Sequence, residues 1–177
     1  MAGSALDPEA HDAMTGKEAG VEGPHPTNLE EAIAKQAIIF KDTFPGMLGV
    51  HVTEAGPGRA VATLDVGPSV RHPGGYAHGG ALAGFGDTTA AWATFPALGE
   101  GEAFTTIEFK ANFITGVTSG KLRAEAKAVH QGRRTMVLEV RITTDDEQKR
   151  PVAMMIVTQA ILKVGGSGAG EEQPPDR

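Results

Sequence analysis

Alternating apolar and polar positions predict strands through most of the second half of the chain. From Leu122 to Ala128 every second residue is apolar, which is the pattern of a strand with one buried face. Met136 to Ile142 repeats this alternation, and Val152 to Lys163 is longer and more apolar, as expected of a central strand. With Phe104 to Ile114, which is rich in β-forming residues, this region contains four predicted strands.

A helix is predicted at the start of the ordered region, from Thr27 to about Phe44. Thr27 and Glu30 have the spacing of a capping box, in which each side chain binds the other residue's backbone amide. Apolar residues then recur at helical spacing and form one face. Pro45-Gly46 is predicted to end this helix.

A β-hairpin is predicted next. Its strands run from Met47 to Ala55 and from Arg59 to Val66, and Gly56-Pro57-Gly58 forms the turn between them. Together with the four later segments, this hairpin brings the predicted number of strands to six.

The segment from His78 to Phe95 is predicted to be a helix that is buried on all sides. Small or apolar residues occupy nearly every face of it, and Pro96 ends it. Asp87 is the only ionisable residue in this segment after His78. Strands that surround one apolar helix need a curved antiparallel sheet, so we predict an α+β fold with five or six strands wrapped round one long helix. A single sheet leaves edges to cover, which favours a dimer.

The two ends of the chain differ in composition from the middle. Residues 1–26 are rich in Ala, Gly, Pro, Asp and Glu without apolar periodicity, and residues 165–177 are a low-complexity stretch. We therefore predict one domain at residues 27–164, between a flexible leader and a disordered tail.

Charge and cysteine content argue against several classes of protein. The net charge is −6 at pH 7, whereas proteins that read nucleic acids usually carry a basic face. The chain has no cysteine, which rules out disulfides, thiolate zinc sites and a cysteine nucleophile. The sequence has neither a secretory signal nor an apolar run long enough to span a bilayer, and we expect a soluble, cytoplasmic protein without a metal site.

One motif, at the start of the central helix, carries a family resemblance. Asp87 follows the sequence His78-Gly79-Gly80 at nine positions after the histidine, and the segments 105–113 and 130–135 come later in matching order. Over residues 47–163 the chain resembles the hotdog-fold acyl-CoA thioesterases of the phenylacetic-acid pathway (PaaI-type) and the related 4-hydroxybenzoyl-CoA thioesterases. The resemblance implies a hotdog fold and hydrolysis of an acyl- or aryl-CoA thioester at a dimer interface.

The resemblance implies that Asp87 of one protomer meets the glycine-rich loop of the other. Asp87 would either act as a general base on water or attack the thioester to form a mixed anhydride, and the sequence does not choose between them. Amides at a helix start have no intrahelical acceptor, so we expect free N–H donors at Gly79 and Gly80. Gly79 is predicted to be the main donor to the thioester oxygen.

Three further residues are assigned to the catalytic site on the resemblance. Thr106 occupies a position where the family often has a Ser or Thr that orients the attacking water, and Thr105 is the alternative if the register differs by one. His72 stands where an Asn is common, and its N–H would bind the thioester carbonyl or the water. His78 is expected mainly to hold the loop at the helix start.

Binding of the CoA phosphates requires cations, and the resemblance points to the turn Gly132-Arg133-Arg134. Arg71 and Lys149 are further candidates. CoA is part of the substrate, so no cofactor is expected. The expected protein partner is a second copy of the chain, with a tetramer formed as a dimer of dimers, and neither nucleic acid nor membrane is expected to bind.

Two other functions remain open at this stage. A hotdog module can bind acyl-CoA without turnover, although such modules lack the carboxylate that Asp87 supplies. A hotdog enoyl-CoA hydratase pairs an Asp with a His, which Asp87 with His72 or His78 could imitate, although the usual hydratase motif is not evident.

Overall fold

The computed structural model describes residues 29–164. The predicted leader, the predicted tail and Thr27 of the predicted capping box lie outside these residues. The described chain forms one antiparallel sheet of six strands with a long helix packed on one face. The predicted hotdog architecture is confirmed.

Six strands form, and all but the first have bounds close to the predicted ones. Their bounds are β1 His51–Gly56, β2 Arg59–Asp65, β3 Glu102–Phe113, β4 Lys121–Gln131, β5 Thr135–Thr144 and β6 Pro151–Lys163. The order across the sheet is β1-β2-β4-β5-β6-β3, so β1 and β3 are its edges. Strand β6, the most apolar, pairs on both sides, with β5 and with β3.

The long helix α4, Gly79–Thr94, packs closely on the sheet. Phe85 of this helix is fully buried in the hydrophobic core. At Gly86 the approach is so close that a Cβ atom would lie 2.3 Å from the Met155 sulfur, so a larger residue would require the Met155 side chain to move. No helix within residues 29–164 is long and apolar enough to cross a membrane.

One side of α4 is less buried than the sequence predicts. Ala83, Gly84, Asp87, Thr88 and Ala91 are all partly exposed, whereas the positions between them are buried. Their spacing of three and four residues places them in one stripe along the helix. The prediction of a helix buried on all sides is therefore wrong for the single chain, and Asp87 lies on this partly exposed stripe.

The predicted N-terminal helix is interrupted. Within the described residues it consists of α1 Leu29–Ala34 and α2 Gln36–Ile39, followed by a separate short helix, α3 Phe44–Leu48. Pro45 does not end a helix as predicted but stands in the first turn of α3, where a missing N–H costs nothing. The prediction that the first strand begins at Met47 is also wrong, since Met47 belongs to α3 and β1 begins at His51.

A glutamine side chain joins α2 to the edge strand β1. The Gln36 carboxamide accepts a hydrogen bond from the Val52 amide at 2.6 Å and donates one to the Val52 carbonyl at 2.8 Å. It also donates to the Ile33 carbonyl at 2.8 Å. The side chain is buried and pairs with both polar groups of one β1 residue, as a neighbouring strand would.

We expect Gln36→Leu to destabilise the fold. The substitution leaves the buried amide and carbonyl of Val52 without partners, at about 1–3 kcal/mol for each group. Urea denaturation should therefore show a free energy of unfolding lower by roughly 2–4 kcal/mol. The matched control is Ile38→Ala, a truncation of an exposed side chain on the same helix, which should change the free energy by less than about 0.5 kcal/mol. Equal stabilities of the two variants would contradict the role of Gln36.

Candidate active site

The carboxylate of Asp87 is bound by a threonine of the edge strand. Thr106 of β3 donates a hydrogen bond from its hydroxyl to Asp87 Oδ1 at 2.9 Å. Thr106 lies opposite the buried Gln159 of β6 and faces α4, whereas Thr105 is exposed. The structure therefore brings Thr106, and not the alternative Thr105, to Asp87. A bulge at Ile107, directly after Thr106, interrupts the pairing of β3 with β6.

A second layer of polar groups lies behind Thr106. Gln159 is fully buried, and its carboxamide nitrogen lies 3.4 Å from the Thr106 oxygen. The hydroxyl of Thr94, also fully buried, donates to the carboxamide oxygen of Gln159. Neither Gln159 nor Thr94 was predicted from the sequence to belong to the site. A signal was present for Gln159, since it occupies an inward position of β6 two residues beyond Val157, where an apolar residue is expected.

The start of α4 is capped by His78. Its Nδ1 atom accepts a hydrogen bond from the Gly80 amide at 2.9 Å. The prediction of a free Gly80 amide is therefore wrong, because the N-cap side chain uses that donor. The Gly79 amide has no acceptor within residues 29–164, as expected for the first residue of a helix. The ring of Phe113 covers Gly79 and would lie 3.2 Å from a Cβ atom there.

His72 lies in a tight loop before α4. Its Nδ1 accepts a hydrogen bond from the Gly74 amide at 2.9 Å, and its ring stacks on Tyr76 at 5.9 Å between centroids. The rings of His72 and His78 are 6.5 Å apart. Because Nδ1 of each ring accepts a hydrogen bond, the neutral form of each carries its proton on Nε2. Among the described residues, no three His, Asp or Glu side chains are grouped closely enough to hold a metal ion.

The carboxylate and the free amide of one chain are far apart. Asp87 follows Gly79 by eight positions on the same helix, which places their backbones about 12 Å apart along the axis. A thioester carbonyl bound at the Gly79 amide is therefore out of reach of Asp87 of the same chain.

The five residues predicted to meet the CoA phosphates do not form one cluster. Gly132, Arg133 and Arg134 form the β4–β5 turn, next to the C-terminal end of α4. Lys149 lies in the β5–β6 turn, at the opposite end of the sheet. Arg71 lies before α4, near that same opposite end, and donates a hydrogen bond to the Val66 carbonyl at 2.9 Å.

A cavity of about 380 Å³ lies beside the β4–β5 turn. Gly132 and Arg133 contribute to its lining, together with Thr94 from the end of α4. Glu102 is also part of the lining, and the Gly99 amide and the Lys163 ammonium lower the pKa of its carboxyl. The cavity thus contains both a guanidinium and an ionised carboxylate.

Comparison with known proteins supports one family. The family model described as "Thioesterase superfamily" matches residues 74–150, which include the glycine loop and Asp87. The 1,4-dihydroxy-2-naphthoyl-CoA hydrolase of Listeria monocytogenes is 30% identical over 116 residues, a match that covers 66% of this chain and 93% of that protein.

Two solved structures that are named as thioesterases share this fold. A mutant of the thioesterase PA1618 from Pseudomonas aeruginosa matches with a TM-score of 0.69 and 26% identity, over 78% of this chain and 96% of that chain. The thioesterase HI1161 from Haemophilus influenzae matches with a TM-score of 0.71 over 77% of this chain and 94% of that chain. Its identity is 23%, so this second match supports the fold alone.

Proposed function

The chain belongs to the thioesterase superfamily and is a thioester hydrolase, and we propose that it cleaves an acyl- or aryl-CoA ester at a site shared by two protomers. The observation that carries this proposal is the Asp87 carboxylate on the partly exposed stripe of α4, where Thr106 of β3 donates a hydrogen bond to it. The reaction adds water to the acyl carbon, breaks the carbon–sulfur bond and releases the free acid and the CoA thiol. It uses no cofactor.

The separation of Asp87 from Gly79 is the first argument for a shared site. The helix geometry places them about 12 Å apart in one chain, too far for one thioester group. The Gly79 amide of a second protomer is not held at this distance, because it lies on a different helix from Asp87. The oxyanion donor and the carboxylate of each site then come from different chains.

The difference between the two edges of the sheet also supports a shared site. Strand β1 is short and bulged, and Gln36 satisfies its polar groups at Val52. Strand β3 has 12 residues and exposes Ile107, Phe109 and Phe113. A long apolar edge of this kind favours pairing with another strand. We propose that β3 pairs with β3 of a second copy.

Such pairing about a two-fold axis is antiparallel, so opposite ends of the two protomers meet. The β4–β5 turn of one protomer then approaches the helix-start end of the other. We propose that this arrangement brings Arg133 and Arg134 of one chain and Arg71 or Lys149 of the other to the same nucleotide. Cations from both chains would then share the phosphates. A tetramer of two such dimers and a cytoplasmic location remain predictions.

In the proposed mechanism the thioester oxygen binds the Gly79 amide of one protomer. The amide and the helix dipole stabilise the negative charge that develops on this oxygen. The Nε2–H of His72 supplies a second donor nearby. Asp87 of the partner acts as a base on water or as the nucleophile. Because the Thr106 hydroxyl donates its proton to Asp87, Thr106 contacts a water only as an acceptor.

We expect Asp87→Asn to abolish turnover, because an amide is neither a base nor a nucleophile. Thiol release from a panel of aliphatic and aryl CoA esters should fall by about 10²–10⁴-fold, the typical contribution of such a group. Asp65→Asn, the same change at an exposed position of β2, should leave the rate unchanged. Full activity of Asp87→Asn would exclude the carboxylate mechanism. Binding of acyl-CoA by the wild type without thiol release, or addition of water to crotonyl-CoA, would favour one of the other two functions.

The role of the Gly79 amide can be tested with Gly79→Pro. Proline removes the N–H, fits the first position of a helix, and follows a His78 backbone (φ −71°, ψ 135°) that tolerates it. Loss of one oxyanion donor should lower kcat by about 10²–10³-fold. The control is Gly79→Ala, which adds a Cβ atom against the Phe113 ring as proline does but keeps the backbone N–H. A difference between the two variants therefore reports the loss of the N–H donor and not the crowding of the ring. Equal rates for the two variants would remove Gly79 from the mechanism.

A mixed dimer tests whether two chains share each site. Asp87→Asn and Gly79→Pro chains are each expected to be inactive alone. Co-expression with different tags should give heterodimers with one intact site, and an equal mixture should regain about a quarter of the wild-type rate. Recovery of no activity from verified heterodimers would place both groups in one chain and contradict the shared site.

A further inference from the structure

Gln159 is a polar residue in a position that the fold otherwise fills with apolar side chains. It lies on β6 between Met136 of β5 and Thr106 of β3, and none of its surface is exposed. Its neighbours on the same face of β6, Met155 and Val157, are fully buried and apolar. Burial of a carboxamide here is costly unless its partners compensate for lost water.

The hydrogen bonds around Gln159 form a chain with one direction. Thr94 donates to the carboxamide oxygen of Gln159, and the carboxamide nitrogen of Gln159 donates to the Thr106 oxygen at 3.4 Å. Thr106 then donates to Asp87 at 2.9 Å. Thr94 and Asp87 are seven positions apart on α4, on the same side of the helix, and the chain connects them through two strands of the sheet.

The charge of Asp87 sets this direction. The Thr106 hydroxyl has one proton, and a carboxylate is a stronger acceptor than a carboxamide oxygen. Because that proton is directed at Asp87, the Thr106 oxygen can only accept a hydrogen bond on its core side. The carboxamide nitrogen of Gln159 is the donor that faces it there. At 3.4 Å this contact is long and weak by itself. Its effect is that the Thr106 hydroxyl meets a donor and not an acceptor on the core side. The hydroxyl proton therefore cannot turn towards the core and away from Asp87.

We propose that Gln159 is a positioning residue that keeps the Thr106 hydroxyl directed at Asp87, with Thr94 holding the Gln159 carboxamide in the required orientation. This inference rests on the proposed catalytic role of Asp87. Gln159 does not touch the substrate and acts through Thr106 alone. One oxygen of Asp87 is thereby occupied, and the other is left for the water or the thioester.

The test is a double-mutant cycle of Gln159→Leu with Thr106→Val, assayed by thiol release. Leucine has a similar volume, and Thr94 keeps the Met136 sulfur at 3.3 Å as an acceptor. We expect Gln159→Leu to lower kcat about tenfold, the effect of one hydrogen bond, and to change KM less than about twofold. In the Thr106→Val background the same substitution should have no effect on kcat.

Controls separate positioning from folding. Thr89→Val removes another fully buried hydroxyl of α4, which donates only to the Phe85 carbonyl, and should leave kcat within about twofold. If Gln159→Leu does not fold, Thr94→Val provides the same test, with a drop in kcat of about threefold that also disappears in the Thr106→Val background.

The outcomes distinguish this inference from the proposed function. The positioning role would be overturned if Gln159→Leu lowered kcat equally in both backgrounds, or if it changed only KM. The proposed function would still stand in that case, provided that Asp87→Asn is inactive. Activity of Asp87→Asn would instead refute the proposed function. A tenfold loss that vanishes without the Thr106 hydroxyl supports the inference.

Discussion

The close contact between α4 and the sheet is the constraint on which the rest of the structure depends. Gly86 lies against the Met155 side chain, where a Cβ atom would clash with the sulfur, so this side of the helix faces the sheet. Phe85 is buried as a result, and Asp87, two positions further on, comes to the border of the packed face. A carboxylate in this position can stay hydrated and still receive a hydrogen bond from the sheet.

Polar groups behind the helix are placed so that burial costs little. The Thr89 hydroxyl donates a hydrogen bond to the Phe85 carbonyl, and the Thr94 hydroxyl donates one to the carboxamide oxygen of Gln159. Within residues 29–164, no buried side-chain nitrogen or oxygen lacks a partner. Because an apolar core would need none of these groups, the polar chain that ends on the Asp87 carboxylate is better connected with the site than with stability.

The two edges of the sheet are treated differently, and this asymmetry bears on function. At β1 a glutamine from α2 satisfies the backbone of Val52, whereas β3 retains exposed apolar side chains along the strand that carries Thr106. An association of two copies along β3 would cover these side chains and enclose the partly exposed stripe of α4. The same association would complete the proposed site with the Gly79 amide of the second copy, so stability and catalysis would depend on one interface.

The sequence by itself determined the six strands, the central helix and the isolation of Asp87 on it, because side-chain periods of 2 and 3.6 residues follow from local backbone geometry. The family motif likewise lies in a short stretch of chain. Only the tertiary structure decided that His78 uses the Gly80 amide, that Arg133 and Lys149 lie at opposite ends of the sheet, and that Gln159 stands behind Thr106. These relations join residues through loop conformation and strand register, and register depends on pairing between segments that are distant in the chain.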